Sequence, residues 1–162
     1  MKFLDREIDE DLFKKLIVLA VALIFLYVVF TLISYSMVKP FKISSNTITN
    51  SKEIVSEISI IYQGSVRLEL KGWAYKEGQS IETFESYFIL KNEENNKMYS
   101  LKTQMEEIDE LKLVEETFDC SKGGMYSQGF LLGLEKGVYD ICILYKNDSE
   151  NILANTGHTI TK

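Results

Sequence analysis

The feature that most constrains this chain is an uninterrupted apolar segment near its N-terminus. From Leu16 to Val38, 23 consecutive residues carry no charge. A bilayer core of ~30 Å needs about 20 apolar residues of helix, each rising ~1.5 Å. A globular helix of that length almost always keeps one polar face, and this segment has none. The segment therefore predicts a membrane-spanning helix over residues 16–38.

A cleavable signal peptide is the main alternative for this segment. Signal peptides combine a basic N-terminal region, an apolar stretch of about 7–15 residues and a small-x-small cleavage site. Here residues 1–11 contain five acidic side chains, and the small pair Ser34-x-Ser36 lies inside the apolar run. We therefore expect the helix to be retained as a single-pass anchor.

The flanking charges predict the orientation of this anchor. Four basic residues precede the helix and three follow it closely: Lys2, Arg6, Lys14, Lys15, and then Lys39, Lys42 and Lys52. Basic residues favour the cytoplasmic side of a membrane. Residues 1–15 are therefore predicted to form a cytoplasmic tail, and the large domain is predicted to be extracytoplasmic. In the tail, Leu4, Ile8 and Leu12 recur every four residues, which is typical of a short amphipathic helix.

The 124 residues after the apolar segment suffice for one small domain. Residues 39–51 are rich in Ser, Thr and Asn without periodicity and are predicted to be a stalk, followed by the domain proper at 52–162. Residues 39–162 contain 19 acidic and 14 basic residues, a net charge of −5. That charge argues against binding nucleic acid and against strong adhesion to anionic surfaces.

Alternating apolar and polar residues predict strands throughout the domain. The pattern is clear at 66–71, at 84–91 with a partner strand near 97–103, at 138–145 and at 151–161. Glu135-Lys136-Gly137 is predicted to connect a hairpin between strands on either side. The segment 104–118 is predicted to form a helical turn over an open end of the sheets. The fold class predicted is mainly β: one N-terminal transmembrane helix followed by an antiparallel β-sandwich of about 6–8 strands.

Four short motifs occur in a recognisable order: LKGWAYKEG (70–78), ESYFILKN (85–92), SQGF (127–130) and LEKGVYDICILY (134–145). Together they resemble the extracytoplasmic β-sandwich domain, with its Gly-Trp-Ala-aromatic motif, of Firmicute cell-envelope membrane proteins. The resemblance implies a domain that hangs from a membrane anchor or from a polytopic envelope enzyme. It also implies an association with machinery that handles surface glycans.

Trp73 and Tyr75 are the candidate ligand-binding residues. If Leu68 and Leu70 point inward, strict alternation places both aromatic rings outward, side by side, as a platform for a sugar ring or a partner. A β-bulge at Gly72 would instead turn Trp73 into the core. Of these two arrangements we expect the buried one.

Cys120 and Cys142 are the only cysteines. On an oxidising side of the membrane they could form a disulfide if their Cα atoms lie within ~7 Å. Cys142 also fits an apolar strand as a small buried side chain, which we favour over the disulfide.

No catalytic, metal-binding or cofactor-binding motif is present. His158, the single histidine, has no organised partners around it, and the acidic run at 106–116 lacks the spacing and the glycine of a calcium loop. We therefore predict a non-enzymatic, membrane-anchored interaction module that binds a membrane protein, an envelope protein or a glycan. The alternative is an accessory subunit or small enzyme acting on surface polysaccharide.

Overall fold

The computed structural model describes residues 10–49, 52–82, 85–113, 118–147 and 150–162. The chain divides into two compact units, Met1–Tyr35 and Ser36–Lys162. The first unit contains one long apolar helix and the second is built mainly of strands in two sheets. The predicted fold class is confirmed.

The N-terminal unit contains helix α1 (Glu10–Ser36). Its stretch Glu10–Ser34 is long and apolar enough to cross a membrane, and its most apolar window has no buried side chain. The hydroxyl side chains of the helix can hydrogen-bond to its own backbone carbonyls: Thr31 Oγ1 donates to the carbonyl of Tyr27 at 2.8 Å. The predicted helical tail falls mostly outside the described residues, because of Leu4, Ile8 and Leu12 only Leu12 is described.

Within its described residues, the second unit contains ten strands and two 3₁₀ turns. The strands are β1 (Lys39–Phe41), β2 (Ile48–Thr49), β3 (Ile54–Gln63), β4 (Arg67–Lys76), β5 (Tyr87–Asn92), β6 (Met98–Ser100), β7 (Thr103–Glu106), β8 (Gly124–Phe130), β9 (Val138–Asn147) and β10 (Glu150–Thr161). The 3₁₀ turns are Asp109–Leu113 and Ser121–Gly123. One sheet has the order β1-β6-β5-β9-β10-β2, and the other has the order β3-β4-β8-β7. Neighbouring strands are antiparallel except β10 and β2, which are parallel. Eight of the ten strands lie within residues 52–162, in agreement with the predicted six to eight.

The main core lies between the two sheets and follows the predicted period of two. On β9 the residues Tyr139, Ile141, Ile143 and Tyr145 are fully buried on one face. They share a cluster with Leu68 and Leu70 of the facing sheet. Fully burying a side chain of this size contributes about 1.5–3 kcal/mol, so this contact dominates the stability of the fold.

The segment predicted to be a stalk is part of the domain. Residues 39–41 form β1, which pairs with β6 at one edge of the six-stranded sheet. Residues 48–49 form β2, which pairs with β10 at the opposite edge. Val38, predicted to end the span, is buried in the main core, and its N–H donates to the carbonyl of Phe130 at 3.3 Å. Edge strands need only backbone hydrogen bonds, so a short polar segment without periodicity can form them.

The hairpin predicted around Glu135-Lys136-Gly137 does not form. β8 pairs with β4 and β7 in one sheet, whereas β9 pairs with β5 and β10 in the other. The connection between them therefore crosses from sheet to sheet, and it buries Leu131 and Leu134 on the way. Two adjacent apolar strands look alike in sequence whether they pair with each other or face each other across a core.

Two other elements of the structure also differ in detail from the prediction. The segment 104–118 begins as strand β7 and continues as the 3₁₀ turn Asp109–Leu113, and residues 114–117 lie outside the described ranges. The turn contributes Leu111 to a cluster on an outer sheet face and does not cap an open end. The strand predicted at 84–91 is described from Tyr87 onward, and Phe84 lies outside the described residues.

The burial of Val38 generates the first testable prediction. Val38→Asp should lower the free energy of unfolding of the detergent-solubilised full chain by about 3 kcal/mol or more, because it places an unpaired charge in the core. The control Ser45→Asp, at an exposed position after β1, should change it by less than about 0.5 kcal/mol. Denaturant unfolding followed by Trp73 fluorescence measures both. Equal, small effects would show that the domain core begins after this segment.

Candidate functional site

The outer face of the four-stranded sheet carries the two predicted aromatic residues. Trp73 and Tyr75 both point away from the main core, because Leu70 and Ala74 of the same strand point into it. Their rings stack with centroids 5.7 Å apart and planes inclined by 15°. The structure therefore contains the side-by-side aromatic pair that strict alternation predicts.

Gly72 does not introduce a bulge. The pairing of β3 with β4 runs without interruption past Ile58 and Gly72, and the register shift lies further along, between Ile60 and Tyr62. A Cβ at Gly72 would lie 2.5 Å from the carbonyl oxygen of Glu57. Glycine is needed here because the neighbouring strand approaches too closely for any side chain.

This aromatic pair is not an open platform, because the chain covers it. It belongs to the Trp73 cluster, which we define as Val55, Trp73, Tyr75, Ile81, Ile108, Leu111, Phe118 and Cys120. Tyr75 is buried, whereas Trp73 is partly exposed. Gly124, opposite Trp73 on β8, leaves the space that Ile108 occupies. We expected Trp73 to turn into the sandwich core; instead it points outward and is partly buried in a second cluster on the outer sheet face.

The remainder of the same face is held by polar contacts within the chain. The Tyr126 hydroxyl donates to Glu69 Oε1 at 2.6 Å, and this bond to a carboxylate raises the pKa of Tyr126. The other oxygen of Glu69 pairs with Arg67 at 2.6 Å. Lys71 pairs with Glu106 of the acidic run at 3.3 Å. These groups already have partners, so this face presents little unpaired polar surface to a ligand.

Cys120 and Cys142 lie in different places as buried thiols. Cys120 belongs to the Trp73 cluster, where its Sγ lies 3.8 Å from the carbonyl oxygen of Gln79. Cys142 lies on the outer face of the six-stranded sheet with Ile89, Leu144 and Leu153. The structure does not bring the two sulfurs together.

The described residues among those considered for catalysis or metal binding do not converge, and residues 114–116 of the acidic run lie outside the described ranges. His158 is exposed on β10, and its Nδ1 lies 3.1 Å from the carbonyl oxygen of Thr156. In the part of the chain that the structure describes, no group of three or more His, Cys, Asp or Glu side chains could hold a metal ion. Asp109 of the acidic run forms an exposed pair with Lys112 at 2.6 Å.

The outer face of the six-stranded sheet carries a site that sequence reasoning missed. Residues 42–47, here called the strap, connect β1 at one edge of this sheet with β2 at the other. Two adjoining cavities of about 550 and 300 Å³ lie along the strap and together form what we call the groove. Their shared lining consists of Ile43, Asn96 and Met98.

The groove is apolar at its centre and bears lysines at its mouth. The larger cavity is lined by Pro40, Phe41, Lys42, Ile43, Asn96, Lys97, Met98 and Tyr99. The smaller one reaches Cys142 and Leu153 on the sheet face and is also lined by Thr49, Lys91 and Asn155. Lys97 donates to Glu135 at 2.5 Å, and this bond lowers the pKa of the Glu135 carboxyl. The groove can therefore hold an elongated apolar group whose polar end meets the lysines.

A sequence signal for this groove existed but was weak. The predicted strand Val138–Tyr145 has apolar residues on both faces, since Cys142 and Leu144 alternate with the core residues. A strand that is apolar on both faces needs a cover on each side. Which segment provides that cover depends on the order of the strands, which the sequence pattern does not show.

Comparison of the chain with models of protein families, with curated proteins and with solved structures found no significant match.

The Trp73 cluster yields the second prediction. Trp73→Ala should lower the free energy of unfolding by about 2–3 kcal/mol, somewhat less than the ~3–5 kcal/mol of a fully buried ring, because Trp73 is partly exposed. The control Ile61→Ala, at an exposed position on β3, should cost less than about 0.5 kcal/mol. Denaturant unfolding monitored by circular dichroism tests both, and blue-shifted emission from the single tryptophan is expected in the wild type. A fully stable variant with red-shifted wild-type emission would contradict the packed cluster.

The third prediction concerns the thiols. Burial raises the pKa of Cys142 to about 11, whereas an unfolded cysteine ionises near ~8.5. Burying the neutral thiol therefore contributes stability below pH ~8.5, and this contribution is lost as the pH rises toward 11. At pH 8 the native chain should react with a thiol reagent roughly 100-fold or more slowly than the urea-unfolded chain.

Reducing agent should leave the melting temperature unchanged. A bridge between Cys120 and Cys142 would contribute roughly 3 kcal/mol. A drop of several degrees on reduction would therefore reveal a disulfide.

Proposed function

We propose that this protein is a membrane-anchored binding module that presents its β-sandwich outside the cytoplasmic membrane and binds a membrane or cell-envelope component through the groove. The observation that carries the proposal is the position of the groove in the chain. Its first lining residue, Pro40, follows Ser34, the last residue of the candidate span, by six positions. The β1 wall of the groove therefore belongs to the part of the domain that directly follows the anchor in sequence.

The character of the groove supports a binding role. Its combined volume lies in the range of about 300–1,000 Å³ that is typical of ligand sites. Its walls are mainly apolar, and its few polar groups lie where they could orient a ligand. By contrast, the Trp73 cluster is closed by the chain itself. The groove is therefore a better candidate surface than the aromatic pair predicted from the sequence.

An extracytoplasmic location is part of the proposal. It is supported by the lysines that precede the span and by the resemblance to envelope β-sandwich domains. The alternative, an accessory subunit or enzyme acting on surface polysaccharide, stays a prediction that no contact of the described residues favours. Hydrogen bonds from Ser121 and Lys97 lower the pKa of the Asp119 and Glu135 carboxyls, whereas a glycosidase acid needs a raised pKa.

Two experiments on whole cells test this proposal. A cysteine at Ser45, exposed on the strap, should react with a membrane-impermeant maleimide before lysis, over a low background from the buried native cysteines. Labelling only after lysis would overturn the extracytoplasmic location.

In the second experiment, a photoreactive amino acid replaces Lys42 at the mouth of the groove. It should capture a membrane or envelope component that mass spectrometry identifies. Ile43→Asp in the same chain should reduce the capture at least fivefold, whereas Ile61→Asp on the other sheet should not change it. No adduct, or equal capture in all three chains, would overturn binding through the groove.

A further inference from the structure

We infer that the ligand of the groove is the acyl chain of a membrane phospholipid. This inference rests on the proposed function, because it names the component that the groove binds. The apolar lining of the larger cavity consists of Pro40, Phe41, Ile43, Met98 and Tyr99, and its polar lining consists of Lys42, Asn96 and Lys97. The apolar part can exclude water from a hydrocarbon chain, and the two lysines suit an anionic end group.

The length of the groove matches one acyl chain. It runs from Met98 on β6 to Leu153 on β10, which is three strand spacings across the sheet. At ~4.8 Å per spacing this is about 14 Å. One leaflet of a bilayer has half of the ~30 Å hydrocarbon thickness, about 15 Å. A single chain entering at β1 would therefore end over Leu153 and Cys142 of the outer sheet face, where the smaller cavity also has Thr49, Lys91 and Asn155 in its lining.

The lysines at the mouth fit the phosphate of a phospholipid headgroup. Lys42 lines the larger cavity, and within the described ranges it forms no ion pair. Lys39 lies on the same short strand, and Lys97 lies across the cavity with Glu135 as its partner. The domain as a whole is acidic, so this attraction is local. It places the charged end of the ligand at the β1 edge and its apolar end beneath Ile43.

Photolabelling of the full chain in phospholipid nanodiscs tests this inference. The nanodiscs contain a phosphatidylglycerol analogue with a diazirine near the end of one acyl chain. After irradiation and digestion, mass spectrometry should find adducts on peptides containing residues 40–43 and 96–99, as well as on the span. Ile43→Asp should reduce the groove adducts at least fivefold and leave the span adducts unchanged. Lys42→Glu should reduce them severalfold, because it reverses the charge that meets the phosphate.

The matched control is Ile61→Asp, since Ile61 is also exposed but lies on β3 of the other sheet. It should leave groove labelling unchanged. The emission of Trp73 reports whether each variant is folded, and Lys42→Glu, at an exposed position, serves if Ile43→Asp does not fold. Adducts confined to the span, or groove adducts that neither variant reduces, would overturn the inference.

The lipid photolabelling in nanodiscs and the capture experiment in whole cells together separate this inference from the proposed function. Capture of a protein or a glycan at Lys42 in whole cells, without lipid adducts in the groove, would overturn the lipid ligand and leave the binding module intact. Loss of both kinds of adduct would overturn both.

Discussion

Strand β9 is apolar on both faces, and the rest of the domain depends on this constraint. Tyr139, Ile141, Ile143 and Tyr145 fill the space between the sheets, while Cys142 and Leu144 are buried on the opposite face. An antiparallel strand with one solvent-exposed face needs only one layer packed against it, but a strand buried on both faces needs two such layers. The four-stranded sheet is one of these two layers. The strap is the other layer, and it covers the outer face of the six-stranded sheet only in part, which leaves the groove.

The four-stranded sheet meets the same constraint with a different segment. Its central strand β4 sends Leu68 and Leu70 inward and sends Trp73 and Tyr75 outward. The 3₁₀ turn Asp109–Leu113 and its neighbours close over the aromatic pair with Ile108 and Leu111. Both outer faces are thus covered by short irregular segments. The cover of the four-stranded sheet is a packed cluster, whereas the cover of the six-stranded sheet leaves cavities of about 550 and 300 Å³.

Local patterns predicted the class of fold and the facing of individual strands, because period-two alternation follows directly from backbone geometry. The inward face of β9 is an example. For Trp73, alternation alone gives the outward direction that the structure shows, whereas we expected a bulge at Gly72 to turn it into the core. Pairing could not be predicted in the same way. The strands around Glu135 join different sheets, and residues 39–49 become edge strands, because these outcomes depend on contacts between residues far apart in sequence. The groove was missed for the same reason, since it lies between segments that meet only after β1 has paired with β6.

Residues 37–41 link the anchor covalently to the rest of the sandwich. Tension drawn along the chain from the membrane side would first load the bond between the Val38 N–H and the Phe130 carbonyl, and then the β1–β6 hydrogen bonds from the Lys39 end. Bonds loaded in series part at lower force than bonds that share a load. An anchor under pull would therefore peel the wall formed by Pro40 and Phe41 away from Met98 before it disturbed β9. The three-residue strand β1 therefore both carries the pull of the anchor and forms the rim of the larger of the two cavities.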